Sequence, residues 1–177
     1  MVAADVTLSE DVERLFLSVQ PEGGVQILVN VAGAYAGGTP VREMAATEWD
    51  TMMSVNLRSV FLCSREFLRQ HDGRTFGRII SIAAMPALRP APNKAAYAVS
   101  KAGVIALTLS LAEELKGTRV TANAIAPGII DTPANRSWSD DRTGWVSPEE
   151  IAEQIIHLSS EHAASINGAV IPMFGGL

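Results

Sequence analysis

Short strand-like runs alternate with longer helix-patterned segments along the whole chain, and few folds accommodate that alternation. Residues 25–31, 78–83, 120–125 and 169–172 are apolar runs of strand length, most of them rich in Val, Ile and Ala. Between them, residues 9–20 place Val12, Leu15, Phe16 and Val19 on one helical face, and residues 48–70 and 95–117 read as longer helices. A last helix opens at Ser147-Pro-Glu-Glu150, with Ser as cap and acids in the first turn. The pattern predicts one α/β domain over residues 1–177, built on a doubly wound parallel sheet.

Chemistry concentrates at Tyr97 and Lys101. They stand four residues apart in Ala95-Ala-Tyr-Ala-Val-Ser-Lys-Ala-Gly-Val104, so phenol and ammonium project from one helical face. A phenol with a pKa near ~10 is a poor proton-transfer catalyst at neutral pH, and an adjacent ammonium favours the phenolate. A lone Tyr-x-x-x-Lys is also what an amphipathic helix with one Tyr and one surface Lys looks like. Three further features occur in fixed order around it. Ile27-Leu-Val-Asn-Val-Ala-Gly33 is a strand running into Asn-x-Ala-Gly, Asn56 lies inside the next helix, and Ala126-Pro-Gly-Ile-Ile-Asp-Thr132 follows another strand.

In that order and spacing, these motifs resemble the short-chain dehydrogenase/reductase family along essentially the whole chain. The resemblance implies a Rossmann-like fold and an NAD(P)-dependent oxidoreductase, with no means here of telling NAD from NADP. It implies Tyr97 as general acid or base, Lys101 as the group that lowers the Tyr97 pKa and holds the nicotinamide ribose, and Asn56 as anchor of a proton-relaying water. Asn30, Ala32 and Gly33 would line the adenosine half of the cofactor, and Pro127, Gly128, Ile130 and Thr132 would flank the nicotinamide. Asp5-Val6 looks like the family's adenine-contacting pair. Each has a plainer alternative: Asn30 with Gly33, and Pro127 with Gly128, suit tight turns, and Asp5 suits a cap for the helix starting near Ser9. Residues 133–147 correspond to the family's substrate-covering loop, which makes Asn135, Arg136, Trp138 and Trp145 substrate-side candidates, the tryptophans also serving as packing for the loop.

Two departures qualify the resemblance. The family's usual catalytic Ser precedes the Tyr by thirteen residues, where this chain has Ala84. Ser81 is a weak substitute, because strand alternation puts it on the face opposite residue 84. Losing one oxyanion donor costs on the order of 10²–10³ in turnover, so simple ketones should be handled poorly. Ala84 and the tail, Asp131-Thr-Pro-Ala-Asn-Arg136 through residues 168–172, resemble the family's dihydropteridine reductase branch, whose quinonoid substrate accepts hydride without a serine donor. The second departure is at the start. No strand with a Thr-Gly-x-x-x-Gly-x-Gly turn occurs, and Ala32-Gly-Ala-Tyr-Ala-Gly-Gly-Thr39 lacks the helix that a pyrophosphate turn must enter directly. The expectation is a sheet missing its amino-terminal β-α-β portion, from an internal start site or a fragment, with the strand at residues 27–30 left as an edge. The alternative function is then a catalytically silent truncated domain that acts only through oligomerisation.

Composition narrows the remaining classes. A net charge of −5 and a pI near 5.2 argue against nucleic acid or anionic membrane as partners. No uninterrupted apolar run reaches membrane-spanning length. A single cysteine, Cys63, fits a reducing, cytoplasmic setting, and His71, His157 and His162 lack metal-ligand spacing, so no metal is expected. Apolar residues around both long helices, including Phe61, Leu62, Val104, Leu107, Leu109 and Leu111, suggest a dimer or tetramer of this chain, with a small molecule as substrate.

Overall fold

The computed structural model describes residues 2–73 and 75–175; Met1, on which the start-site expectation falls, lies outside them. Four strands, β1 (Ile27–Asn30), β2 (Gly77–Ile82), β3 (Val120–Pro127) and β4 (Val170–Met173), form one parallel sheet in the order β1-β2-β3-β4. The register runs Leu28 beside Ile79, Ile79 beside Ala122, and Ile125 beside Ile171. Period-2 alternation covers both faces, as a parallel sheet requires. On one face, Ile79, Val120 and Ala122 pack with Val12 and Phe16 of α1 (Ser9–Val19), Leu62 and Phe67 of α3 (Ser59–Gln70), and Leu111 of α5 (Ala95–Glu114). Ala122, Ala124 and Ala126 are fully buried. Their small side chains let α5 lie close to β3. On the other face, Ile80, Ile82 and Ile125 meet Ile151 and Leu158 of α7 (Pro148–Ser159).

Helix starts follow local chemistry unevenly. At α7 the Ser147 hydroxyl accepts from the Glu150 N–H, and the Glu150 carboxylate accepts from the Ser147 N–H, the reciprocal box that Ser-x-x-Glu encodes. The helix expected from residue 48 starts earlier: α2 (Ala46–Met52) begins after Ala45 with no side-chain cap. Asp5 is not a cap either, since Leu8 precedes α1 and the Asp5 carboxylate instead accepts from the N–H and hydroxyl of Thr7. Residues 48–70 are not one regular helix. A six-residue π turn, Met53–Arg58, joins α2 to α3 and carries Asn56. Such turns are rare and gather at functional sites.

Two further expectations change in the structure. Helix α5 spans 20 residues and holds an 18-residue stretch with a mean hydropathy of 1.5, long and apolar enough to cross a membrane by length and composition, whereas the sequence shows no uninterrupted apolar run of that length. Half of it is buried against this fold's own sheet and helices, as in the core helix of a globular domain. The long connection expected over residues 133–147 holds a short helix, α6 (Pro133–Arg136), capped by the Thr132 hydroxyl. Its far end is tied down by a bridge between Ile130 and the buried Val146. A four-residue helix, α4 (Met85–Leu88), also follows β2 directly. At the edge of the sheet, β1 leaves Ile27 exposed.

Candidate active site

The carboxyl ends of β1, β2 and β3 open into a cleft of about 600 Å³, the place where open parallel sheets bind ligands. Of the residues singled out from sequence, Gly33, Ala84, Tyr97, Lys101, Pro127, Gly128, Ile130, Asn135 and Trp138 line it. The others lie elsewhere. Asp5 and Val6 sit before α1, with Asp5 in its turn with Thr7 and Val6 against the core. Asn30 is buried below the cleft and donates to the Ser81 hydroxyl at 3.1 Å. Ser81 accepts that bond and does not line the cleft, so it does not stand in for Ala84. Thr132 caps α6, Arg136 turns away to a two-pronged pair with Asp131 at 2.7 and 3.2 Å, and Ala32 and Trp145 do not line the cleft.

Asn56 organises the centre without facing the cleft. Its Oδ1 accepts the Ala34 N–H at 2.8 Å and its Nδ2 donates to the Ala34 carbonyl at 3.0 Å, so one side chain closes both backbone groups of the loop leaving β1. Nδ2 also donates to the Ser100 hydroxyl at 3.1 Å, which in turn donates to the Tyr97 carbonyl at 2.8 Å. The π turn, the Gly33 loop and the Tyr97 helix are thus joined by one buried side chain. Gly33 fits because it is glycine: a Cβ there would stand 2.9 Å from Asn56 Oδ1 and 3.2 Å from Lys101 Nζ.

The electrostatics differ from the sequence expectation. The Lys101 ammonium is buried and donates to the Ile82 carbonyl at 2.8 Å. Burial brings its pKa down to about 8. Tyr97 is held above its ordinary value, first by burial and then by the neighbouring Tyr35 phenol, so in this state Lys101 does not bring the phenol toward neutrality as the Tyr-x-x-x-Lys reading expects. Sequence reasoning also missed Tyr35 and Lys94. The Tyr35 ring meets Tyr97 edge-on at 5.0 Å between centroids and Trp138 at 5.9 Å, and Lys94 Nζ lies 5.8 Å from the Tyr35 centroid. Neither residue belongs to a spaced motif, and only the fold of the Gly33 loop over the start of α5 joins them to the site.

Comparison with known proteins follows the same lines. A family model described as short chain dehydrogenase matches residues 1–143. The chain is 36% identical to the 3-oxoacyl-[acyl-carrier-protein] reductase MabA of Mycobacterium tuberculosis strain H37Rv, over 99% of this chain and 75% of that protein. This chain belongs to the short-chain dehydrogenase family. Other relatives of this short-chain dehydrogenase are the 3-oxoacyl-[acyl-carrier-protein] reductase FabG of Vibrio cholerae, 35% identical over 99% of this chain and 76% of that one, and the acetoacetyl-CoA reductase of Allochromatium vinosum, 34% identical over 98% and 75%. These names point to ketoacyl reductases and do not single out the dihydropteridine reductase branch that Ala84 and the tail suggested. Among solved structures, a variant actinorhodin polyketide ketoreductase with NADPH superposes with a TM-score of 0.89 at 30% identity, covering 98% of this chain and 76% of that one. ElxO with NADP bound gives 0.88 at 25% identity, over 96% and 74%.

The buried ammonium generates a stability prediction. Lys101 binds a proton less readily folded, near 8, than unfolded, near its ordinary 10.5. The burial penalty is therefore complete below pH 8, where both states are charged, and is relieved as pH rises from 8 toward 10.5 and the folded state alone loses the proton. Urea denaturation should show wild type gaining about 1 kcal/mol between pH 7 and 9 relative to Lys101→Met. An equal pH response in the two proteins would contradict the buried, charged assignment.

Proposed function

We propose that this short-chain dehydrogenase is an NAD(P)-dependent oxidoreductase that moves hydride between the nicotinamide and a small carbonyl, alcohol or pterin-like substrate. The observation that carries this reading is the convergence of Tyr97, Lys101, Pro127 and Gly128 on one cleft at the carboxyl ends of the strands. The residues present fit the nicotinamide half of such a cofactor. Gly33 keeps the loop clear of Lys101 Nζ, and the turn after β3 borders the cleft with Pro127, Gly128 and Ile130. When bound, the cofactor supplies or accepts hydride. Tyr97 then gives a proton to the developing alkoxide, or takes it from the alcohol in the reverse direction. Lys101, which donates to the Ile82 carbonyl, would hold the ribose hydroxyls of that cofactor, and its charge beside the phenol would lower the pKa that burial has raised. Asn56 fixes the loop through both backbone groups of Ala34.

Two substrate classes have support from different observations. The named relatives are 3-oxoacyl and acetoacetyl reductases, which favours a carbonyl. Ala84 places no hydroxyl in the cleft, and Tyr35 and Trp138 form an aromatic wall beside Tyr97, which favours a flat, quinonoid or pterin-like acceptor that needs no oxyanion donor. Assembly into a homo-oligomer is part of the proposal, since Phe61 of α3 and Val99 and Leu109 of α5 leave apolar surface exposed.

Oxidation of NADH or NADPH by acetoacetyl-CoA and by quinonoid dihydropterin, followed at 340 nm, tests the reading. Tyr97→Phe should lower turnover by about 10²-fold or more. Turnover unchanged in that variant would sink the tyrosine mechanism. Ala84→Ser should raise turnover of acetoacetyl-CoA by about 10²-fold and leave the dihydropterin rate nearly unaltered. No gain with the ketone would show that the cleft stabilises the oxyanion by other means.

A further inference from the structure

The charge inside the cleft runs against the charge of the chain. The protein carries a net charge of −5, yet no Asp or Glu lines the cleft among the described residues, and its charged side chains are Lys94 and Lys101. Lys101 is already engaged by the Ile82 carbonyl. Lys94 is not: it is half-buried, and the ion pairs among the described residues do not include it. Its ammonium lies over the face of Tyr35, 5.8 Å from the ring centroid, which orients the charge without neutralising it. Lys94 also immediately precedes α5, a helix of 20 residues whose amino end favours anions on its own account.

The backbone holds this ammonium in register with the aromatic wall. The Gly38 N–H donates to the Asn93 carbonyl at 2.7 Å, tying the Tyr35 loop to the residue before Lys94. Asn93 takes up a left-handed conformation, with φ of 58°, to make that turn. Tyr35 is then braced by Tyr97 on one side and Trp138 on another. A half-buried cation beside a planar apolar wall and next to the proposed proton donor is a recognition site for a molecule having both properties.

We propose that Lys94 is the specificity-determining residue of the cleft, pairing with an oxyanion carried by a planar ligand whose body lies against Tyr35 and Trp138. Calling that ligand the substrate rests on the reductase reading; the binding preference itself does not. The ligand class is a flat, conjugated or aromatic molecule with a carboxylate or phosphate group.

The test uses the purified chain without cofactor and follows tryptophan quenching on titration with 2-naphthoate, 2-naphthyl phosphate and uncharged 2-naphthamide, with Trp138→Phe identifying the cleft signal. Wild type should bind at least one of the two anions about tenfold or more tighter than the amide, the relative strength of naphthoate and naphthyl phosphate telling which oxyanion fits. Lys94→Gln should remove that preference while leaving amide affinity unchanged, and Lys94→Arg should retain it, with circular dichroism confirming that both variants fold. An anion preference surviving in Lys94→Gln, or no binding of any of the three, overturns the proposal. So does a fall in NADPH affinity in Lys94→Gln with the anion preference intact, which would assign the ammonium to the cofactor. Loss of the preference in Lys94→Gln together with no NAD(P)H oxidation in wild type would overturn the reductase reading alone.

Discussion

The buried amide of Asn56 is the contact on which the arrangement of this site depends. It closes both backbone groups of Ala34 and reaches through Ser100 to the Tyr97 carbonyl. An isolated buried amide left without partners costs about 1–3 kcal/mol for each lost bond, so the three segments it joins move together or not at all. The π turn is what brings Asn56 inward between α2 and α3, and Gly33 is what leaves room for its oxygen beside Lys101. A loop, a helix irregularity and the start of α5 are thereby held as one part, the fixed geometry that the proposed proton transfer at Tyr97 calls for.

Around that rigid part the chemistry of the cleft is set by the side chains that line it. The actinorhodin ketoreductase variant and ElxO superpose closely on this backbone, and the side chains give the cleft its character. Ala84 removes a hydroxyl, the nearby Ser81 is tied to Asn30, and Tyr35 and Trp138 add aromatic surface. Burial raises the Tyr97 pKa and lowers that of Lys101.

Much of this was legible in the sequence because it rests on periodicity and spacing. The β-α alternation specified a parallel sheet, Ser147 and Glu150 specified the start of α7, and the four-residue separation of Tyr97 and Lys101 placed both in the cleft. What was not legible depends on tertiary packing. Nothing local marks the π turn at Asn56, since Met53–Arg58 has ordinary helix composition. Tyr35 and Lys94 are 59 residues apart and meet only because Gly38 is tied to Asn93. Arg136 read as a substrate-side candidate because it falls in the segment that matches the family's substrate-covering loop, whereas Asp131, five residues earlier, pairs with it at the surface. Asp5 likewise finds its partner locally in Thr7.

The central claim is that the Gly33–Asn56–Lys101–Tyr97 centre holds a nicotinamide. Saturation-transfer NMR with reduced nicotinamide mononucleotide tests it most directly, because that molecule lacks the adenosine half and needs no pyrophosphate turn. Saturating the methyl groups of the chain should transfer magnetisation most strongly to the nicotinamide ring protons, and Gly33→Val, which drives a side chain toward Lys101 Nζ, should abolish the transfer. Absence of transfer to the ring in the wild-type chain, or transfer undiminished in Gly33→Val, would contradict the account.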